Sequence, residues 1–403
     1  MTPRPAASRF LVALASLAFV SLGLPDGLLG VAWPSMRASF GLPLDALGAL
    51  LVAVTSGYVA SSFATGFLLA RMRLGMLLAL SVLLTSASLL GFAGAPAFWM
   101  LLPLAVVAGL GAGAIDSGIN AYASQHLGPR LMNWLHACFG IGAASGPLVM
   151  TAVLQAAWPW TRGYLLVGLA QLLLATAFYV TAPAWSDGGS PRPGPADGRP
   201  ADSPPAPRRS RQAWLGVATF FVYTGLEAGF GLWSYTLFTE GRGVSPAVAG
   251  ACVSAFWGGL TAGRLLGAFV LGRLPVPLVL RGCLVVIAAA AALLAADVAD
   301  AASFAAVAVA GVACGPVFPS LMSTTSARIA REHLAGVVGY QVAAAALGAA
   351  LVPAAMGVVA GRTGLESVGT MLLLLAVAVL AVQETLLAPV RATRPVLGGG
   401  SAG

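Results

Sequence analysis

Apolar runs of about 20 residues, the length a helix needs to cross a bilayer, recur twelve times along the chain between short polar breaks. They fall at 10–34, 46–70, 75–94, 98–122, 134–157, 162–183, 213–238, 246–272, 277–296, 301–325, 334–360 and 364–387. Glycine and proline lie inside many of them, which membrane helices tolerate because neighbouring helices re-satisfy the freed backbone groups. One polar stretch is long: 184–212 carries seven prolines and five arginines. Such a segment buries no core and reads as a flexible linker. The pattern predicts an all-α membrane protein of twelve transmembrane helices. Its parts are a tail 1–9, a six-helix bundle 10–183, the linker 184–212, a second six-helix bundle 213–387 and a tail 388–403.

A repeat underlies the two halves. Gly23-Leu24-Pro25-Asp26-Gly27 recurs as Gly225-Leu226-Glu227-Ala228-Gly229, an offset of 202. Val107-Ala108-Gly109 with Gly113 recurs as Val309-Ala310-Gly311 with Gly315 at that same offset, and Gly142 and Pro147 are echoed by Gly348 and Pro353 at offset 206. Three matches in corresponding spans point to two parallel, pseudo-symmetric six-helix repeats with a binding site between them near the midplane.

Composition agrees. The chain is 59% hydrophobic and 8% charged, whereas a soluble domain carries about 25% charge. Lipid therefore has to cover most of its surface. The net charge of +8 comes entirely from arginine, and these arginines fall in short loops rather than on one face, which argues for membrane orientation and against nucleic acid. With the N-terminus inside, 16 arginines lie in cytoplasmic segments, four (Arg37, Arg162, Arg242, Arg362) in outer loops, and Arg264 inside a span. Both termini are thus expected in the cytoplasm of a cell-membrane protein. The first apolar run is long for a signal peptide, and cleavage would leave an odd span count. Cys138, Cys252, Cys283 and Cys314 sit in four different spans without paired spacing, so neither zinc nor a disulfide framework is indicated.

Against this background three carboxylates stand out inside the spans: Asp26, Asp116 and Glu227. A charge at bilayer depth costs roughly 2.5–3.5 kcal/mol even on the gentlest scale, so such groups face a bundle interior or wet cavity and commonly bind or relay ions. Asn120, four residues after Asp116, shares its helix face. The repeat places Phe318 opposite Asp116, which argues for a one-sided task rather than a packing device; the alternative is a structural carboxyl bonded to Asn120 or a neighbouring helix. Asp26, between Pro25 and Gly27, is expected at a break in its helix that opens backbone groups to a ligand, or else as an interfacial acid. Glu227 is expected to be either neutral or paired with Arg264, and the pair serves either coupling or structure; Arg264 alternatively snorkels to the cytoplasmic side. His136 follows Asn133 by three residues on one face.

Gly109-x-Gly111-x-x-Ala114 lies within an apolar span, where close helix packing explains it better than a dinucleotide. No GxSxG, HExxH or P-loop occurs. An enzyme is not expected.

Two stretches, Gly109-Leu110-Gly111-Ala112-Gly113-Ala114-Ile115-Asp116-Ser117-Gly118-Ile119-Asn120 and Asn133-Trp134-Leu135-His136-Ala137-Cys138-Phe139-Gly140, carry a resemblance, supported by Tyr223-Thr224-Gly225-Leu226-Glu227 and Gly263-Arg264-Leu265-Leu266-Gly267. Over essentially its whole length the chain resembles major facilitator superfamily transporters, and within them the fucose-permease-like sugar:proton symporters. The resemblance implies alternating access, proton coupling at Asp116 and Glu227, and substrate contacts at Asp26, Asn120, Asn133 and His136. Tyr58 and Trp257 are then the rings deep enough to stack on a sugar, with Tyr122, Trp134, Trp233, Tyr235 and Tyr340 as further candidates. It implies no cofactor beyond the coupling ion, a proton or alternatively sodium, and a complete transport unit in one chain, functional as a monomer. The superfamily's loop between spans 2 and 3 normally holds an acid; here Ala70-Arg71-Met72-Arg73-Leu74-Gly75 has none, leaving Arg71 and Arg73 to a weakened or rebuilt gating latch. A proton-coupled exporter and a sodium-coupled importer use the same acids. A non-transporting sensor needs a signalling domain for which the linker and tail are short.

Overall fold

The computed structural model describes residues 9–126, 129–185, 211–329 and 331–387. The predicted tails, apart from Arg9, and nearly all of the predicted linker lie outside the described residues. Within them the chain is helical, with no strand: α1 Arg9–Phe40, α2 Leu47–Leu69, α3 Leu74–Gly94, α4 Phe98–His126, α5 Pro129–Gln155, α6 Thr161–Thr181, α7 Arg211–Thr236, α8 Pro246–Val270, α9 Val276–Ala296, α10 Asp300–Cys314, α11 Val317–Arg328, α12 Arg331–Thr363 and α13 Ser367–Leu387. Eleven spans are long and apolar enough to cross a membrane, α10 and α11 together forming one of them. The twelfth crossing helix, α8, has 25 residues and carries Arg264.

Two expectations are corrected. The run 301–325 is two helices, not one, because Pro316 has no N–H to continue the ladder and follows Gly315. A Cβ on Gly315 would stand 2.4 Å from the Arg264 backbone nitrogen, so α10 and α8 are in close backbone contact at the break. Conversely, Pro25 and Gly27 do not break α1, which runs unbroken through Pro25 and Pro34 for 32 residues. Gly27 serves packing instead: a Cβ there would meet the Ala143 carbonyl oxygen at 2.3 Å.

The repeat is built into the packing. α1 lies along α5 as α7 lies along α12, and α2 lies along α4 as α8 lies along α10. Equivalent glycines hold each pair together. Gly142 is so close to α1 that a Cβ would fall 2.0 Å from the Val20 oxygen, and Gly348 stands at 2.0 Å from the Phe221 oxygen of α7. Gly109 meets Val54 at 1.9 Å and Gly311 meets Phe256 at 2.2 Å by the same measure.

The halves join through α1 with α7, α2 with α12 and α5 with α8. Calling the end where α1 begins the near end and that where it stops at Phe40 the far end, these joints crowd toward the far end. Gly30 meets Gly231, Gly48 meets Ala354, and Gly250 meets Thr151. Arg37 completes the closure with an ion pair to Glu240 at 2.6 Å. The joint nearest mid-helix is Gly140 against Thr261.

Candidate functional site

Two of these joints set the site. Gly30 of α1 and Gly231 of α7 touch backbone to backbone: a Cβ on Gly30 would lie 2.9 Å from the Gly231 oxygen. One turn toward the near end on the same faces stand Asp26 and Glu227. At the second joint a Cβ on Gly140 would lie 1.9 Å from the Thr261 hydroxyl, and one turn onward come His136 of α5 and Arg264 of α8. Small residues at the crossings bring the helices together, and the next turn delivers an ionisable group from each half.

The groups connect into a ring. Tyr58 of α2 donates its hydroxyl to Asp116 Oδ2 at 2.6 Å, and Asn120 Nδ2 donates to Asp116 Oδ1 at 2.9 Å. The charges of Asp116 and Asp26 both act on Tyr58. The charges of Asp116 and Arg264 both act on His136. Arg264 stands 3.7 Å from Glu227 Oε1. Asp26 and His136 are exposed although they lie at or within a few turns of mid-helix, while Asp116, Asn120, Glu227 and Arg264 are half-buried. The ring therefore lines a water-accessible cavity between the halves.

Tyr223 is a group that sequence reasoning passed over. Its hydroxyl lies 2.7 Å from Glu227 Oε2 and 2.7 Å from the Cys314 carbonyl oxygen. That carbonyl ends α10 at the proline break, where it lacks its usual helical donor. One hydroxyl has one proton for two acceptors; both contacts are satisfied together when Glu227 is protonated and donates back to the tyrosine oxygen. The Tyr58–Asp116 contact works in either state, since a phenol donates to a carboxylate and accepts from a carboxylic acid. Tyr223 precedes Glu227 by four residues, just as Asn120 follows Asp116 by four, so a search for polar partners one turn from each acid finds both.

Other expected residues divide. Tyr58, expected as a stacking ring, is tied by its hydroxyl to Asp116. Trp257 packs edge-on to Phe256 and over Gly231, whose Cβ would meet the indole at 2.4 Å; its Nε1 is buried without a partner. Tyr122, Trp233 and Tyr235 are buried in helix packing: Tyr122 meets Trp185, and Trp233 donates to the Pro353 oxygen at 3.0 Å. Trp134 donates to Ser16, and Tyr340 stacks on Trp214. The side chain of Asn133 lies outside the described residues. Arg71 is exposed at the near end with its guanidinium 3.3 Å over the Phe67 ring, and Arg73 is the residue before α3.

A sequence model of the Major Facilitator Superfamily matches residues 15–353. No curated protein sequence matches the chain. Among solved structures, a bacterial homologue of the human lysosomal transporter Spinster, inward-facing and occupied, matches with a TM-score of 0.77 at 12% identity, over 94% of this chain and 97% of that one. The nucleoside transporter NupG matches with a TM-score of 0.71 at 15% identity, over 93% and 98%. The outward-facing transporter FucP matches at 0.61 and 16% identity, over 94% and 99%. At these identities the likeness shows the fold.

Proposed function

The chain belongs to the major facilitator superfamily, and on that premise we propose that it carries a small polar solute, a sugar, in symport with protons. The observation that carries this reading is Asp116: a carboxylate within an apolar span, held by two neutral donors and open to the cavity. Neutral partners leave the acid free to gain and lose a proton without breaking an ion pair. The FucP structures among the neighbours, one described as a fucose:proton symporter of E. coli, lend support.

The arginine bias puts the near end in the cytoplasm of a cell-membrane protein. A closed far end then makes this the inward-facing state. In the outward state Asp116 takes a proton from outside, and the solute binds among Asp26, Asn120, His136 and Trp257. Neutralising the acid lowers the cost of bringing apolar helices around it. The halves rock, the near end opens, the proton leaves by way of His136 and water, and the solute follows. Glu227, sharing Tyr223 and Arg264, is the second protonatable group. Arg71 and Arg73 sit at the near-end loop that must move. A single chain suffices, and no cofactor beyond the coupling ion takes part.

The test uses purified protein in liposomes enclosing a pH-sensitive dye, with a panel of monosaccharides added outside, with and without sodium, beside Asp116→Asn. Sugar-triggered acidification that ignores sodium and disappears in Asp116→Asn is expected. Accumulation by Asp116→Asn equal to wild type overturns the coupling role. A folded protein that stays silent across the panel overturns the sugar assignment.

A further inference from the structure

Several charged groups in the described structure meet their opposites. Arg242 meets Glu366 and Asp297, Arg281 meets Glu384, and Arg37 meets Glu240. Arg328, in the last turn of α11 at the near end, does not. Its hydrogen bonds go to the carbonyl and hydroxyl of Thr324 on its own helix, and no carboxylate pairs with it among the described residues. Arg328 is half-buried, just beyond the span that ends at Thr325. Burial holds its guanidinium below the ordinary arginine value, a sign of charge lacking compensation.

Arg328 lines a small cavity inside the second half, walled by α7, α11, α12 and α13. Gln383 of α13 lines the same cavity, is 0% exposed, and has neither its amide nitrogen nor its oxygen bonded. Gln341, 2% exposed, reaches in from α12, its oxygen accepting from Thr325. It does so because Gly216 of α7 has no side chain: a Cβ there would stand 2.7 Å from the Gln341 amide nitrogen. No acidic residue lines the space. A buried polar group without a partner costs about 1–3 kcal/mol, so an uncompensated guanidinium and an unbonded carboxamide around one cavity describe a site for an anion.

We propose that this cavity binds one oxygen of a phosphate group, held between the Arg328 guanidinium and the Gln383 amide. Its volume is about 10 Å³, enough for a single atom of that size, so the remainder of the phosphate stays at the mouth beside Arg328. Arginine is the side chain best suited to phosphate. Two sources share this chemistry: the headgroup of a phospholipid at the near-end membrane face, and a free phosphate in the water beside it.

Thermal unfolding of the purified full-length protein in a phosphate-free sugar detergent separates them. Inorganic phosphate and phosphatidylglycerol in mixed micelles are each compared with chloride at matched ionic strength. A rise in Tm of a few degrees is expected from at least one, lost in both Arg328→Gln and Gln383→Leu. Gln383→Leu serves as the folding control, because without ligand it is expected to be at least as stable as wild type once an unbonded buried amide is gone. A rise from phosphate assigns a soluble oxyanion; a rise from the lipid alone assigns the headgroup. No rise from either, or a rise that persists in either variant, overturns the site.

Discussion

The Tyr58 hydroxyl and the Asp116 carboxylate meet at 2.6 Å, fastening α2 to α4 on the wall of the cavity between the halves. The contact adds a donor from a different helix to the one Asn120 supplies from its own. Tyr58→Phe keeps the ring and removes only the donor. A hydrogen bond to a charged group contributes about 1.5–3 kcal/mol. Proton-driven uptake is therefore expected to fall by about tenfold to a hundredfold, with counterflow exchange of preloaded solute largely intact. Uptake under an imposed pH gradient, measured beside counterflow, checks this. Equal loss of both assigns Tyr58 to solute binding instead.

Arg264 and Glu227 make a looser pair, at 3.7 Å and with side-chain exposures of 28% and 16%. Arg264→Gln leaves three carboxylates in the ring with no guanidinium. A fully buried pair broken on one side loses about 3–5 kcal/mol; cavity water screens part of that here, so a loss of about 1–3 kcal/mol is expected. The double variant Arg264→Gln/Glu227→Gln should recover most of it. Thermal unfolding of the four proteins of the cycle gives the coupling, and additive single losses would show that the two groups act independently.

How far the sequence reached follows from which interactions are periodic. Span positions emerged from runs of apolar residues because lipid imposes them on every helix alike. The Glu227–Arg264 pair was legible because each is the lone charge in its span. The break at Gly315-Pro316 was hidden, since proline sits inside other helices here without breaking them: Pro25, Pro34, Pro103, Pro147 and Pro353 all do so. Whether a helix ends at a proline depends also on what receives the last carbonyls before it, and Tyr223, which meets the Cys314 carbonyl from 91 positions away, is not visible locally. The roles of the aromatic rings were ambiguous for a related reason. A tryptophan at cavity depth and one in a helix seam look identical in sequence, and Trp233 was settled only by its bond to Pro353.

The glycine joints make a paired prediction. Gly142→Ala and Gly348→Ala each push a Cβ to 2.0 Å from a carbonyl oxygen of the facing helix, where backbone rather than a flexible side chain must yield. Both are expected to destabilise by about 1–3 kcal/mol or more, as overpacking does, and by similar amounts because the two sites are repeats of each other. Gly282→Ala on α9 and Gly339→Ala on α12 meet nothing within 4 Å. Those should be neutral or stabilising by up to about 1 kcal/mol through helix propensity. Melting curves of the four variants decide it; a tolerated Gly142→Ala means that the α1–α5 seam is looser than its backbone spacing implies.

Closure of the far end rests partly on Arg37 and Glu240, which join α1 to the turn after α7 at 2.6 Å with exposures of 26% and 29%. An ion pair so exposed contributes about 0.2–1 kcal/mol. Arg37→Glu turns the attraction into repulsion, so the far end should open more often, by about 1.4- to 5-fold from loss of the pair alone, with repulsion adding to it. The exchange Arg37→Glu/Glu240→Arg restores opposite charges and should return the equilibrium toward wild type. A cysteine placed at Leu29, in a chain freed of its four native cysteines, reports opening through its labelling rate by a membrane-impermeant thiol reagent applied from the far side. Faster labelling in Arg37→Glu and a return to the wild-type rate in the exchanged pair identify the contact as a latch. An unchanged rate in Arg37→Glu means that the Gly30–Gly231 and Gly48–Ala354 joints hold the far end shut without it.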